Sequence, residues 1–148
     1  MTRTANPGTA SPQASSEIEI REGLEGVTPG RVAVLYRRAP LLRPVSDPSK
    51  LRTMFERASL VLTAWKGSRL VGIARVLSDG VLYSFLVDLA VEPDVQGLGI
   101  GRLLVLSVLE RCRGTDLLVR GNLGRLFRHE GLEVVTDAWM VPAKRTPH

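Results

Sequence analysis

The sequence predicts a mixed α/β domain in which a mostly antiparallel central sheet contains a central parallel strand pair and carries helices on both faces. Residues 60–91 indicate an antiparallel meander, because β-rich runs there are separated by turn segments at 66–68 and 78–80. Residues 81–119 indicate a parallel pair, since two apolar runs flank a helical pattern and such a unit closes by a right-handed crossover. The 148 residues, 44% of them hydrophobic, suffice for one packed core.

One strand pattern and two helix patterns precede the meander. Residues 18–21 alternate apolar and polar side chains, which predicts a half-buried strand. Thr28 and Asp47 each stand directly before a proline, and an N-cap followed by proline at the first helical position is typical of a helix start. Apolar side chains follow both at helical spacing, up to Pro40 in the first helix and Ala58 in the second.

The second half of the chain predicts a strand, a loop and a helix, followed by shorter elements. The strand covers residues 81–91 and ends before Pro93. A glycine-rich loop at 96–101 leads into an apolar helix over about 102–111. The remaining predicted elements are, in chain order, a short buried strand at 117–119, a helix at 123–130 and two strands at 132–135 and 138–141.

The composition limits the class of protein and its compartment. A single cysteine, Cys112, and two histidines leave too few ligands for a structural metal site, so no metal is expected. No apolar run approaches the roughly 18 residues that a membrane span needs. Residues 1–16 lack the apolar core of a secretory signal, which favours a disordered tail before one domain at 17–148 in the cytoplasm. A transit peptide is the alternative interpretation of the tail.

The net charge of +5 suits anionic partners such as phosphates. Nucleic-acid binding is not expected, because aromatic residues make up only 5% and no stripe of basic residues is interleaved with them.

Residues 88–102 contain the pattern with the most chemical content. Glycines alternate at 97, 99 and 101 between a strand and a helix start. Unpaired N–H groups and the helix dipole attract anions at such a place, and glycine lets an anion approach the backbone closely. Arg102 lies in the first helical turn, where its charge opposes the dipole unless an anion binds between them. Neither a Walker loop nor a dinucleotide fingerprint fits the spacing, and a loop that serves only tight packing is the alternative.

These residues carry a resemblance to a known family. Residues 96–101 resemble the Q/R-x-x-G-x-G/A signature of the GNAT acetyltransferase superfamily, and residues 89–93 resemble its strand-plus-proline lead-in. The order of predicted elements is similar over residues 17–141. Residues 62–65 and 70–75 also resemble small GNAT proteins of cyanobacteria and plant plastids, some of which acetylate arylalkylamines such as serotonin.

The resemblance implies an N-acetyltransferase that moves acetyl from acetyl-CoA to a primary amine by direct attack in a ternary complex. It implies that the loop amides hold the pyrophosphate, that the preceding strand pairs with the pantetheine, and that residues 117–120 splay away to admit the thioester. The residues that it assigns to acetyl-CoA are Leu89, Ala90, Val91, Gln96, Gly97, Leu98, Gly99, Ile100, Gly101, Arg102, Asn122 and Phe127.

Acetyl transfer requires one proton to leave the amine and another to reach the departing thiolate. Asp88 and Glu92 are the candidate bases, and Asp88 is favoured because an Asp within an apolar strand is costly unless solvated or paired. An ion pair between Asp88 and Arg75 is the alternative interpretation. Phe127 stands where the family commonly has a tyrosine as general acid, so the thiolate is left with Tyr83, water or no specific proton donor.

Three functions remain open at this stage. The first is acetylation of a small-molecule amine, the second is acetylation of a protein or peptide, and the third is a catalytically weak acyl-CoA-binding regulatory module. Analogy with small GNAT domains also predicts a homodimer through the apolar residues 138–141.

The substitution Phe127→Tyr tests whether this chain turns over slowly for want of a general acid. A hydroxyl in that slot is expected to supply the missing proton, so acetyl transfer should hold or rise. A fall of about tenfold or more in thiol release would show that the slot does not serve proton donation here.

Overall fold

The computed structural model describes residues 17–39, 41–120 and 131–143, which contain five strands and three α-helices. In chain order the elements are β1 (Ile18–Glu22), α1 (Pro29–Arg38), α2 (Pro48–Glu56), β2 (Leu60–Lys66), β3 (Arg69–Ser78), β4 (Tyr83–Val91), a 3-10 turn (Pro93–Val95), α3 (Ile100–Arg111) and β5 (Asp116–Val119). None of the helices in these ranges has the length and apolar character needed to cross a membrane. The tail at 1–16 and the predicted helix at 123–130 lie outside the described residues.

The strands form one sheet in the order β1-β2-β3-β4-β5. The first four are antiparallel neighbours, and β5 runs parallel to β4 at the end of the described sheet. Helices cover both faces, so the predicted fold class is confirmed. The crossover from β4 to β5 passes through α3, as the strand–helix–strand pattern indicated.

The predicted caps begin the first two helices. The Thr28 hydroxyl accepts a hydrogen bond from the N–H of Arg31 at 3.2 Å, and the Asp47 carboxylate accepts one from Lys50 at 3.1 Å. Helix α3 begins two residues before the predicted position, because Gly99 adopts a left-handed conformation and serves as its N-cap.

The sheet separates two apolar cores. The core under α3 includes Leu62, Val71, Val76, Leu104 and Val108. The core under α1 and α2 includes Val32, Tyr36, Phe55, Trp65 and Ile73. Both faces of β2 and β3 are therefore buried, which is why these strands appear as continuous apolar runs rather than as alternating patterns.

A bulge in β4 changes which side chains face each core. The strand has one extra residue at Val87, because Leu86 and Asp88 pair with consecutive residues of β3. As a result Leu86 packs in the core under α3, whereas Ala90 packs in the core under α1 and α2. The bulge thus turns the side chains of Asp88 and Ala90 toward the two N-terminal helices, whereas Leu89 and Val91 pack against the core under α3.

Two strand boundaries differ from the prediction. Strand β4 begins at Tyr83 rather than at residue 81, because the Asp79 carboxylate accepts the N–H groups of Val81, Leu82 and Tyr83 and holds them in a turn. The predicted strands at 132–135 and 138–141 are wrong.

These C-terminal residues pair with no described strand, and Trp139 is 95% exposed. Their apolar, β-branched composition favours a strand only where a sheet edge is available to pair with it.

The contact between α3 and the sheet depends on the absence of a side chain at Gly72. A Cβ there would lie 3.0 Å from Leu104 Cδ1 and 3.2 Å from both Ala64 Cβ and Ile100 Cγ2. Gly72→Ala is therefore expected to lower the free energy of unfolding by about 1–3 kcal/mol through overpacking, measured by urea denaturation. Gly114→Ala is the control, because a Cβ there meets no atom within 4 Å. Equal stability of the two variants would contradict this packing account.

Candidate active site

The glycine-rich loop between β4 and α3 is held open by two glycines. Gly97 has φ of 97° and Gly99 has φ of 78°, a region that side chains with a Cβ rarely adopt. A Cβ at either position would meet no atom within 4 Å. Backbone conformation, rather than tight packing, therefore requires glycine here, and the loop faces open space.

Several amides of this loop are available to a ligand. The N–H groups of Gly97, Gly99, Ile100 and Gly101 have no acceptor within the described residues, and the first bond of α3 is donated by Leu103 to the Gly99 carbonyl. These donors lie at the start of α3, which is the positive end of the helix dipole and a place that favours phosphate binding. The loop can therefore hold an anionic group.

Gln96 connects the loop to the end of β4. Its side-chain amide donates to the Val91 carbonyl at 3.2 Å, although the residue itself is exposed. The sequence analysis assigned Gln96 to acetyl-CoA. In the structure its side chain instead hydrogen-bonds to the end of β4. Leu98 is exposed at the tip of the loop, and Ile100 is buried in the core under α3.

The backbone of β4 opens to one side beyond Leu86. Glu92 donates its N–H to Val71 of β3 at 2.9 Å, so by alternation the N–H and C=O of Leu89 and Val91 point away from β3. The parallel pairing with β5 stops at Leu86, which leaves Leu89 without a strand partner on that side among the described residues. A gap therefore opens between β4 and the end of β5.

A pocket of about 420 Å³ occupies this gap. It extends from the β4–β5 opening to the connection between α1 and α2. Its lining residues are Leu41, Arg43, Leu86, Val87, Leu89, Val119 and Arg120.

Asp88 lies beside this pocket with its side chain fully buried. Its carboxylate accepts hydrogen bonds from Arg75 Nε at 2.6 Å, from Arg43 Nε at 2.8 Å and from the Tyr36 hydroxyl at 2.8 Å. Arg43 also donates to the Val87 carbonyl at 2.9 Å, at the bulge. We refer to Asp88, Arg75, Arg43 and Tyr36 as the Asp88 cluster.

The cluster sets the ionisation of its members. Burial raises the pKa of Asp88, but the hydrogen bond and charge of Arg75, the charge of Arg43 and the Tyr36 hydroxyl outweigh burial and lower it below its ordinary value. Burial, together with the charge and hydrogen bond of Asp88, raises the pKa of Tyr36 well above its usual range. Asp88 is thus ionised and Tyr36 is protonated at neutral pH.

The structure thus contains the ion pair between Asp88 and Arg75 that was the alternative interpretation. A role for Asp88 as general base stays a prediction, which the lowered pKa does not favour. Tyr36 and Arg43 were not identified from the sequence. Tyr36 counted as one apolar residue of a helix, and Arg43 lies in a connection without a recognisable pattern.

The other predicted catalytic residues lie at opposite ends of β4. Glu92 is buried at its end, where it forms ion pairs with Arg38 and, at 3.4 Å, with Arg69. Tyr83 is 43% exposed at its start, with its ring 6.3 Å from that of Phe85. The structure therefore does not bring Tyr83 and Glu92 together.

Two residues assigned to acetyl-CoA, Asn122 and Phe127, lie outside the described residues. Within the described ranges, no group of three or more His, Cys, Asp or Glu side chains is placed to hold a metal ion.

Fold and site together define a class of protein: a mixed α/β domain with a glycine-rich helix start, whose amides are open, beside a gap between two parallel strands. A model of the acetyltransferase (GNAT) family matches residues 32–121. The chain belongs to this family.

Curated relatives match part of the chain. Serotonin N-acetyltransferase 2, chloroplastic, of Oryza sativa subsp. japonica is 29% identical over 105 residues, which are 68% of this chain and 52% of that protein. The uncharacterized N-acetyltransferase ycf52 of Gracilaria tenuistipitata var. liui is 33% identical over 63 residues, 43% of this chain and 35% of that protein. The chain thus spans about half or less of the length of these relatives.

Solved structures have the same fold. A GNAT-family acetyltransferase of Streptococcus pneumoniae superposes with a TM-score of 0.74 at 22% identity, covering 88% of this chain and all of that one. A probable acetyltransferase of Staphylococcus aureus superposes with a TM-score of 0.77 at 18% identity, covering 87% of this chain and all of that one.

Asp88→Asn tests the importance of the buried carboxylate for stability. The substitution leaves two guanidinium groups near the core without their counter-ion, so the free energy of unfolding is expected to fall by about 3–5 kcal/mol. Glu110→Gln is the control, because Glu110 pairs with Arg113 on the surface, where ion pairs contribute little. Similar losses in both variants would contradict the account.

The pH dependence supplies a second measurement on the same variant. The folded pKa of Asp88 is lowered, so the stability that it contributes is present above its unfolded pKa of about 3.9. That stability is lost as the pH falls through the folded pKa. Asp88→Asn should therefore show a shallower loss of stability below about pH 4 than the unsubstituted protein.

Proposed function

We propose that the protein is an acetyl-CoA-dependent N-acetyltransferase that acts on a primary amine by direct attack in a ternary complex. One observation carries the proposal: the open amides at the start of α3 adjoin the gap between β4 and β5. A ligand with a diphosphate at one end and an extended, amide-containing arm at the other matches both features at once.

The residues present suit acetyl-CoA in detail. The amides of Gly97, Gly99, Ile100 and Gly101 are donors for the pyrophosphate. The outward N–H and C=O of Leu89 can pair with pantetheine amides as a neighbouring strand would. When bound, acetyl-CoA supplies an activated acetyl group, and the aliphatic walls of Leu86 and Val119 would exclude water around it.

The acceptor amine must lose its proton before attack. In the described residues no carboxylate lines the pocket, and both Asp88 and Glu92 are engaged in ion pairs. We therefore favour transfer of this proton to water in the open pocket, with Asp88 or Glu92 as base kept as the alternative. Protonation of the thiolate by Tyr83 likewise stays a prediction.

The nature of the acceptor is a further part of the proposal. We favour a small-molecule amine, because a pocket of about 420 Å³ is in the size range of small-molecule sites. Acetylation of a protein or peptide is the alternative. The rice relative is named for serotonin and for the chloroplast. A cytoplasmic location and a homodimer through residues 138–141 remain predictions for this chain.

A catalytically weak acyl-CoA-binding module is the second candidate function. The paired state of Asp88 favours it, because a carboxylate held by three donors is a poor base. Tight binding of acetyl-CoA without thiol release across a panel of amines would support this candidate. Thiol release that depends on the amine would support the acetyltransferase.

Gly97→Ala tests the loop as the acetyl-CoA site. A Cβ at a φ of 97° forces the loop to change conformation, so affinity measured by calorimetry is expected to fall about tenfold or more. Gly23→Ala is a matched control, since Gly23 has φ of 104°, an equally open Cβ position and a place at the end of β1.

Comparing Gly97→Ala with Gly23→Ala separates the effect of backbone strain from the loss of acetyl-CoA binding. Both should lose stability, and only Gly97→Ala should lose affinity for acetyl-CoA. Unchanged affinity in Gly97→Ala would remove the loop from the proposed site. No binding to the unsubstituted protein at millimolar acetyl-CoA would overturn both candidate functions.

A further inference from the structure

The charge of the pocket bears on the acceptor that it can take. Among the described residues that line it, Arg43 and Arg120 are cationic, none is acidic, and the rest are aliphatic. Arg43 lies on the connection between α1 and α2, and Arg120 directly follows β5. The two arginines therefore belong to two separate segments of the chain that both line the pocket.

The nearby carboxylate does not neutralise this charge. Asp88 is fully buried and is shared by two guanidinium groups, so the cluster keeps a formal charge of +1. Arg43 is the member that reaches the pocket, with 28% of its side chain exposed. Arg120 is exposed and forms no ion pair with any described residue. The described surroundings of the pocket are therefore net positive.

Arg43 is held in one orientation by its contacts. Nε donates to Asp88 at 2.8 Å, Nη2 donates to the Val87 carbonyl at 2.9 Å, and Nη1 donates to the Leu42 carbonyl at 2.7 Å. Nη1 carries a second N–H that these bonds leave available. A guanidinium fixed in this way binds a planar anion with little loss of side-chain entropy.

We propose, on the basis of the acetyltransferase function above, that the acceptor is an amine that carries a carboxylate close to the amino group, as an α-amino acid does. Arg43 and Arg120 bind the carboxylate, and the aliphatic walls contact the rest of the molecule. Polyamines and other dications are rejected, because their second positive charge would meet a pocket whose described surroundings are net positive.

Matched pairs of amines test this selectivity. The pairs are leucine with isoamylamine, phenylalanine with phenethylamine, and tryptophan with tryptamine, which differ within each pair only in the carboxylate. We expect kcat/KM from thiol release to favour the acid of at least one pair by about tenfold or more. Putrescine should be a poor acceptor.

Arg120→Gln tests whether Arg120 contributes to the preference for amines that carry a carboxylate. Because Arg120 is exposed and has no described partner, its substitution should leave folding intact. We expect the preference for the acid over the matched amine, measured at saturating acetyl-CoA, to fall by about fivefold or more. Arg113→Gln is the control for net charge, since Arg113 lies 76% exposed in a surface pair with Glu110.

Binding to the CoA-loaded protein gives a readout that does not need turnover. N-acetyltryptophan and N-acetyltryptamine are the probes, and the acid is expected to bind more tightly. Equal or weaker binding of the acids, together with faster transfer to the unsubstituted amines, overturns the carboxylate proposal and supports an arylalkylamine acceptor. Failure of acetyl-CoA itself to bind would instead overturn the proposed function, which the calorimetric titration shows separately.

Discussion

The buried carboxylate of Asp88 connects β4 to three other parts of the structure. Through one buried carboxylate, β4 is joined to β3 by Arg75, to α1 by Tyr36 and to the α1–α2 connection by Arg43. Removing a single partner from such a group leaves a charge in the protein interior, so the cluster holds its elements in one arrangement. That arrangement forms one side of the pocket.

The bulge at Val87 is the geometric condition for this cluster. Without the extra residue, Asp88 would continue the face of Leu86 and point into the apolar core under α3. The extra residue also makes the Val87 carbonyl available to Arg43 at 2.9 Å. The bulge at Val87 thus positions the carboxylate of Asp88. The bulge lies directly after Leu86, the last residue of β4 that pairs with β5.

The sequence predicted most of the described fold because its signals are local. Caps at Thr28 and Asp47, turns in the meander and the strand–helix–strand pattern each depend on residues a few positions apart. The C-terminal strands were predicted wrongly. Apolar, β-branched residues favour a strand, but a strand forms only where a free sheet edge can pair with it, and the local sequence does not show whether such an edge exists. The start of β4 was predicted two residues too early. The Asp79 carboxylate accepts hydrogen bonds from three successive backbone N–H groups, and these bonds hold Val81 in a turn despite its preference for strands.

By itself, the sequence determined the mixed α/β architecture and the glycine-rich helix start with its open amides, since both follow from residue type at short spacing. The tertiary structure alone decided the other two partners of Asp88, since only Arg75 was expected from the sequence. Tyr36 and Arg43 lie 52 and 45 positions away from it along the chain, and no local pattern relates such distant residues. The fold pairs them because a carboxylate turned inward by a bulge must find donors from whichever elements pack against that face.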